Sequence, residues 1–459
     1  MRTSSLSFIV ATFFLMALSV TVRAEMFTAY LTGAQEVPPA ATAATGYARF
    51  LVNESAGTCS FTVVYNNLSS AQNGAHVHAP APIGASVGVA INLGTLGGTS
   101  GTITGNCTIT PTQLSQLRAH LGYVNVHSGN FPNGEIRGQL GVSRPVDFDG
   151  DGRTDMSVLR FPNIAPPGIS EITWWNLNST SGVQILSPWG NANTDFPAPG
   201  DYDGDGIADF AIYRSGASAG AQSEYWILQS SNNTARYFAW GLFGDQTVQR
   251  DYDGDGMTDV AVFRRGSLAT AQTTWYIRNS SDNTARVDGF GLTGNGTTSL
   301  DAPIPGDYDG DGKFDIAVYR FGQSPFNNYI IKRSSDSAIT YQAFGNFQTD
   351  YILPGDYDGD GKYDLAVART GATGTSPLVW WILQSSTGTT RTQTFGRTSD
   401  FPAQGDYDGD ARTDMAIYRP GATGTASSFY WVFRSFDNSP SVTTWGIGQD
   451  FSVNTFDIR

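Results

Sequence analysis

Asp201, Asp203, Asp205 and Asp209 occupy positions 1, 3, 5 and 9 of one short, glycine-rich loop. Calcium takes six to eight oxygen ligands at roughly 2.3–2.6 Å, and an Asp-x-Asp-x-Asp-Gly turn brings three carboxylates to one point while a carbonyl at position 7 adds another donor. The Asp at position 9 would close such a shell. The same four positions recur as Asp147, Asp149, Asp151 and Asp155, then Asp251, Asp253, Asp255 and Asp259, then Asp307, Asp309, Asp311 and Asp315, then Asp356, Asp358, Asp360 and Asp364, and last Asp406, Asp408, Asp410 and Asp414. Successive loops start 54, 50, 56, 49 and 50 residues apart, so they belong to a structural repeat and not to chance. Position 6 is Gly in five loops and Ala411 in the sixth. A sharp turn there needs positive φ, which alanine enters at a cost of about 1 kcal/mol.

A second candidate lies upstream, where all four histidines fall within residues 76–127. In a strand, residues i and i+2 face the same side, so His76 and His78 can offer two imidazoles to one copper or zinc ion, with His127 as a third nitrogen from a neighbouring strand. The competing reading is structural: these rings hydrogen-bond the turns beside Pro80 and Gly129. Glu135 and Arg137 alternate with Ile136 and read as an ion pair or an exposed strand face. Cys59 and Cys107 are the two cysteines. In an exported protein such a pair forms a disulfide more often than it stays free.

The repeat also dictates the elements that carry the loops. Each 50-residue unit contains four short strand-like pieces, the composition of a β-propeller blade. In the second unit these begin at Phe196, Phe210, Tyr225 and Tyr237. Trp174-Trp175, Trp275-Tyr276, Trp380-Trp381 and Tyr430-Trp431 recur at one place in the unit, which favours packing between blades over a platform for sugars. Arg160 and its five equivalents read as salt bridges to a loop Asp or to the next blade. Six loops predict six blades, with seven as the alternative. The tail from Phe451 to Asp457 reads as an opening strand that completes the first blade. Residues 25–141 are rich in alternating Val, Thr and Tyr with Gly, Asn and Pro turns, the pattern of an antiparallel sandwich or small barrel, with one helix from Pro111 capped by Thr110. The fold class is therefore all-β, a β-sandwich or barrel at residues 25–141 followed by a propeller at 143–459.

Residues 1–24 combine Arg2, an apolar run from Phe8 to Leu18 and small residues up to Ala24, a secretory signal peptide pattern with cleavage near Ala24. No other stretch is long and apolar enough to span a bilayer. The expected location is secreted, extracellular or periplasmic. The net charge of −14 becomes −16 without Arg2 and Arg23, and six calcium ions would add +12 to leave −4. The loops hold 24 of the 41 acidic residues, so the acidity is mostly a cation-binding inventory and argues against nucleic acid as a partner.

Leu31 to Pro39, Ala75-His76-Val77-His78, Tyr123 to His127 and Gly134 to Leu140 together resemble the CHRD domain of chordin. The loops and strands from Pro145 to Gly446 resemble the FG-GAP or VCBS repeats of integrin α-chain propellers and of many secreted bacterial proteins. By that resemblance the four Asp of each loop are calcium ligands with a structural role, on the face away from the usual binding surface. Residues 143–459 contain no His and no Cys, which excludes His acid–base and thiol chemistry there, and no catalytic constellation stands out. The leading expectation is a secreted, calcium-binding interaction or adhesion protein that is not an enzyme and meets an extracellular protein or a surface glycan. The alternative is a copper- or zinc-dependent redox domain, or a glycan-active enzyme. Metal analysis after dialysis separates these: copper or zinc near one per chain favours the redox reading, whereas calcium alone sinks it.

Overall fold

Alternation of buried and exposed residues builds the first domain. The computed structural model describes residues 24–454 except 54–55, 83, 119–120, 143–145, 162–170, 180, 255, 295–299, 322–327 and 347. The expected leader up to Arg23, His120, Asp255, the opening piece Ser143-Arg144-Pro145 and the tail beyond Asn454 lie outside the described residues. Strands β1 (Ala24–Thr32), β2 (Thr45–Asn53), β3 (Thr58–Asn66), β4 (Gln72–His78), β5 (Val89–Gly94), β6 (Gly101–Thr108), β7 (Tyr123–Ser128), β8 (Ile136–Gln139) and β9 (Gly141–Val142) form one sheet. Its order is β5-β4-β7-β8-β1-β2-β3-β6, with β9 added on β1. The two ends, β5 and β6, come beside each other, so the sheet is a nearly closed barrel around Phe27, Phe50, Val63, Tyr65, Val77, Val124, Val126 and Ile136.

Cys59 and Cys107 stand directly opposite each other on β3 and β6 and form a disulfide, with Cα atoms 5.0 Å apart. The expected helix, α1 (Pro111–Arg118), starts at Thr110. Its hydroxyl accepts the Gln113 N–H at 3.2 Å while the Gln113 side chain accepts the Thr110 N–H at 2.9 Å, a reciprocal capping box.

Six four-stranded antiparallel sheets follow, one per loop, as a six-bladed propeller. The second blade runs Asp195–Pro197, Phe210–Arg214, Gln222–Leu228 and Ala235–Leu242. Its acidic loop joins the first strand to the second, and the three central residues of the second strand, Ala211, Ile212 and Tyr213, are buried because neighbouring blades cover both faces. The first blade takes its inner strand from the C-terminus: Phe451–Ser452 pairs with Leu159 and Val158 of Met156–Arg160. The ring is thus closed by the tail, as the unpaired opening strand predicts.

The recurring aromatics pack between blades. Trp174, Trp275, Trp380, Tyr225, Tyr329 and Tyr430 are fully buried. Tyr225 donates to Ala261 O at 2.6 Å, Tyr329 to Ala366 O at 2.7 Å and Tyr430 to Ser157 O at 2.7 Å, each in the following blade. The second aromatic of the pair lies under an arginine, as where the Arg160 and Arg214 guanidinium groups sit 3.9 Å over the Trp175 and Trp226 rings. Neither member is free to stack on a sugar.

The partner of the recurring arginine differs from both expectations. Arg214 pairs with Asp195 on the first strand of its own blade, and Arg264, Arg320, Arg369 and Arg419 pair likewise with Asp245, Asp301, Asp350 and Asp400. These carboxylates are buried and precede each loop by six residues, so no loop Asp is used. Arg160 pairs with Asp450 on the C-terminal segment.

Candidate metal centres

Each acidic loop is held by its own carboxylates. Position 1 turns the backbone back on itself: Asp201 Oδ1 accepts from Gly204 N–H at 2.7 Å and Oδ2 from Gly206 N–H at 2.8 Å. The tight return puts positive φ at positions 4 and 6, 78° and 81° in Gly204 and Gly206. Ala411 holds φ of 68° at position 6 of the sixth loop, so the expected strain is present. Position 9 anchors the loop to its blade, since Asp209 Oδ2 accepts from Tyr202 N–H at 2.9 Å and Oδ1 from Ser230 N–H at 2.7 Å.

That serine was not anticipated. Ser179, Ser230, Ser280, Ser334, Ser385 and Ser435 each give a backbone N–H to the ninth-position Asp of their loop at 2.6–2.7 Å. In all five loops whose fifth-position Asp is among the described residues, the same serine's hydroxyl donates to it, as Ser230 does to Asp205 at 3.0 Å. The fifth carboxylate is also drawn to Arg153 in the first loop and Arg412 in the sixth. Among the described residues, positions 1, 3 and 9 form the cluster in the first three loops, as Asp147, Asp149 and Asp155 do, whereas the fourth gathers Asp307, Asp309 and Asp311. In every such group one oxygen per residue lies within 4.8 Å of the others.

These clusters fit a hard divalent cation. Oδ1 of Asp203, of Asp309 and of Asp358, all at position 3, is buried with no hydrogen-bond donor, so oxygen lone pairs turn inward where neutral partners are lacking. Burial pushes Asp201 up to about 8 and Asp209, Asp315 and Asp364 up to about 7. Without a cation these groups take up protons on folding, since the unfolded chain titrates them near 4. That stabilising contribution is complete below about pH 4 and lost as pH climbs through 7 to 8. The melting temperature of chelator-treated protein is therefore expected to rise between about pH 8.5 and pH 6, whereas with calcium present acid competes with the ion and the trend flattens or reverses. Equal melting temperatures at both pH values in chelator would remove the burial account.

The loops are also joined to one another. The position-8 N–H of each donates to the position-1 carbonyl of the loop before it: Ala208 to Asp147, Thr258 to Asp201, Phe314 to Asp251, Tyr363 to Asp307, Thr413 to Asp356 and Thr154 to Asp406, at 2.6–2.8 Å. The six loops form one closed belt. The first domain rests on it, with Arg49 Nε donating to Gly150 O at 2.7 Å and Nη2 to Asp149 O at 3.0 Å. A Cβ on Gly152 would lie 3.3 Å from the Ala29 backbone, tighter than an ordinary contact, so an alanine in the first loop would need the first domain to give way by a few tenths of an ångström. Ala411→Gly is expected to tighten calcium at the sixth loop about five-fold, because relief of about 1 kcal/mol is most of the 1.4 that makes ten-fold. Titration of wild type and variant checks this, and identical curves would contradict it.

In the barrel, His76, His78 and His127 come together on its outer face. His76 Nδ1 lies 3.0 Å from His127 Nε2. The turns they bond differ from those expected: His78 Nδ1 donates to Val87 O at 2.8 Å and His127 Nδ1 to Pro132 O at 3.0 Å. Burial, the first cause in each case, holds all three below the ordinary imidazole range. Glu135 and Arg137 are neither exposed nor paired with each other. Glu135 accepts from the Ser69 N–H and the Thr42 hydroxyl at 2.7 Å, and Arg137 lies 3.5 Å over the Tyr123 ring, itself stacked on His78.

Residues 27–140 match the family model of the CHRD domain and residues 251–318 that of an FG-GAP-like repeat. The chain carries a CHRD domain followed by an FG-GAP-like repeat. The matched repeat spans the third acidic loop, the last three strands of its blade and the fourth loop, and the other blades share the same strand order. The CHRD match takes in the three histidines and both cysteines. No curated protein matches the chain.

Proposed function

We propose that the protein is a secreted, calcium-binding interaction protein in which about six calcium ions rigidify the propeller as a scaffold, so that the chain binds an extracellular protein or a surface glycan and performs no chemistry of its own. The observation that carries this is the belt of six loops with inward-turned carboxylates, three of which have a third-position oxygen without a donor. Calcium would supply positive charge at the loop centres. The chain's part is to hold oxygens there through positions 1 and 9 and to pass the order of each loop to the next. The leader pattern and the disulfide favour an oxidising location.

The CHRD domain occupies part of the loop face, which leaves the inner strands as a surface for a partner. The fourth strand of each blade is the exposed one, so the short first strands lie toward the axis. They present Phe196, Tyr351, Phe401 and Phe451 to solvent. Exposed aromatic rings suit either a sugar face or an apolar protein side chain. The test is a screen of immobilised glycans and extracellular proteins with calcium and with chelator. Binding that is lost in chelator and weakened by Phe196→Ala with Phe401→Ala supports the reading; binding indifferent to both contradicts it.

A further inference from the structure

The barrel gathers a second, chemically different cluster of donor atoms, His76, His78 and His127. Ala75 and Val77 of β4 and Val124 and Val126 of β7 point into the core, so strand alternation sends His76, His78 and His127 to the outer face. Gly74 stands opposite His127 in the ladder. A Cβ there would lie 3.3 Å from His76 Cε1 and 3.7 Å from His127 Cδ2, so the glycine leaves the space in which the two rings meet.

The hydrogen bonds fix which nitrogens are available. A carbonyl only accepts, so Nδ1 of His78 and of His127 carries the proton toward Val87 and Pro132, and Nε2 of each bears a lone pair. Metal-bound imidazoles are oriented in this way, with the second ring nitrogen tied to a carbonyl. His78 Nε2 is buried without a hydrogen-bond partner, in a residue only 8% exposed. A purely structural role would satisfy that nitrogen. One nitrogen from each ring lies within 4.8 Å of the others. Three nitrogens about 2.0–2.1 Å from one ion stand roughly 3.3 Å apart in a tetrahedral arrangement, so the 3.0 Å edge between His76 and His127 needs to open by only a few tenths of an ångström.

We propose that His76 Nδ1, His78 Nε2 and His127 Nε2 bind one zinc or copper(II) ion on the outer face of the barrel, with the remaining coordination left to water. An all-imidazole set selects these borderline ions over calcium, which the oxygen-only loops prefer. On binding, His76 moves its proton from Nδ1 to Nε2. His76 and His127 are half-exposed, so the ion reaches the site from solvent without opening the barrel.

The test uses the full chain, stripped with chelator, dialysed free of it and reloaded with calcium so that the carboxylate loops are filled. It is then titrated with zinc(II) or copper(II) alone, and the metal is counted after dialysis. The expected result is about one ion per chain for at least one of the two metals, the relative affinities naming which. His76→Gln and His127→Gln should each weaken binding by more than the roughly 10–100-fold that loss of an outer partner costs, with the calcium-loaded melting temperature unchanged. These half-exposed positions avoid the folding risk of replacing buried His78. Wild type that binds neither metal, or variants that bind as tightly as wild type, would overturn the proposal.

Discussion

Chelation of calcium at neutral pH is expected to lower the stability of the propeller by about 11 kcal/mol. At about 2 mM calcium and a dissociation constant near 10⁻⁴ M, as in extracellular modules, each site contributes about RT ln 21, or 1.8 kcal/mol, and six sites give the total. The cause is visible in the first loop, where burial and the neighbouring Asp151, Asp155 and Asp149 push Asp147 far above the ordinary carboxylate range, so without a cation the set must draw protons from neutral solution in order to fold. The belt of loop-to-loop hydrogen bonds makes the loss collective, because a loop that opens releases the N–H or carbonyl of both neighbours. Calorimetry in calcium and in chelator should show the propeller transition move down and broaden while the disulfide-linked CHRD domain keeps its own. An unchanged melting temperature in chelator would refute the account.

Arg160→Leu is expected to cost about 3–5 kcal/mol, because it strands a buried carboxylate. Asp450 is fully buried and accepts Arg160 Nε at 2.8 Å and Nη2 at 2.7 Å, a two-point contact that ties the C-terminal strand to the first blade. Around it, Val453 donates its N–H to Ser157 O at 2.9 Å and the Tyr430 hydroxyl donates to the same carbonyl at 2.7 Å. Arg214→Leu removes the matching pair in a blade made of continuous chain, so its cost should be similar. Only the Arg160 variant should release the C-terminal segment to limited proteolysis. A loss below about 1 kcal/mol, or equal protease resistance in the two variants, would mean that the ring is closed by backbone pairing alone.

The repeat period, the loop carboxylates and the positive φ at Ala411 were legible because each is written in local sequence: a fixed spacing, a residue type, one exception to a glycine. Blade number and closure followed from the same source, since a tail that begins like a blade and has no loop behind it has only one place to pair. Relations across a blade were not legible. Ser230 reaches Asp209 from 21 residues downstream through a hairpin, and a recurrent serine beside other serines carries no mark of its role. Asp195 stands six residues before the loop, and nothing in the local sequence marks it as the arginine's partner. Glu135 and Arg137 look like a solvated strand face until the turns that cover the outer face of the barrel are placed over them. Arg49 gives no sign that its guanidinium will serve carbonyls of a loop 100 residues away. Of the histidine pattern, the shared face of His76 and His78 was readable, but the glycine opposite His127 and the two carbonyls that orient the rings belong to the tertiary structure.

Calcium counted per chain after equilibrium dialysis at about 2 mM tests the central claim most directly. The account predicts close to six ions in the full chain and close to five in Asp203→Asn, whose third-position oxygen turns into the second cluster without a donor. A count of one or none, or a count that Asp203→Asn leaves unchanged, would contradict it.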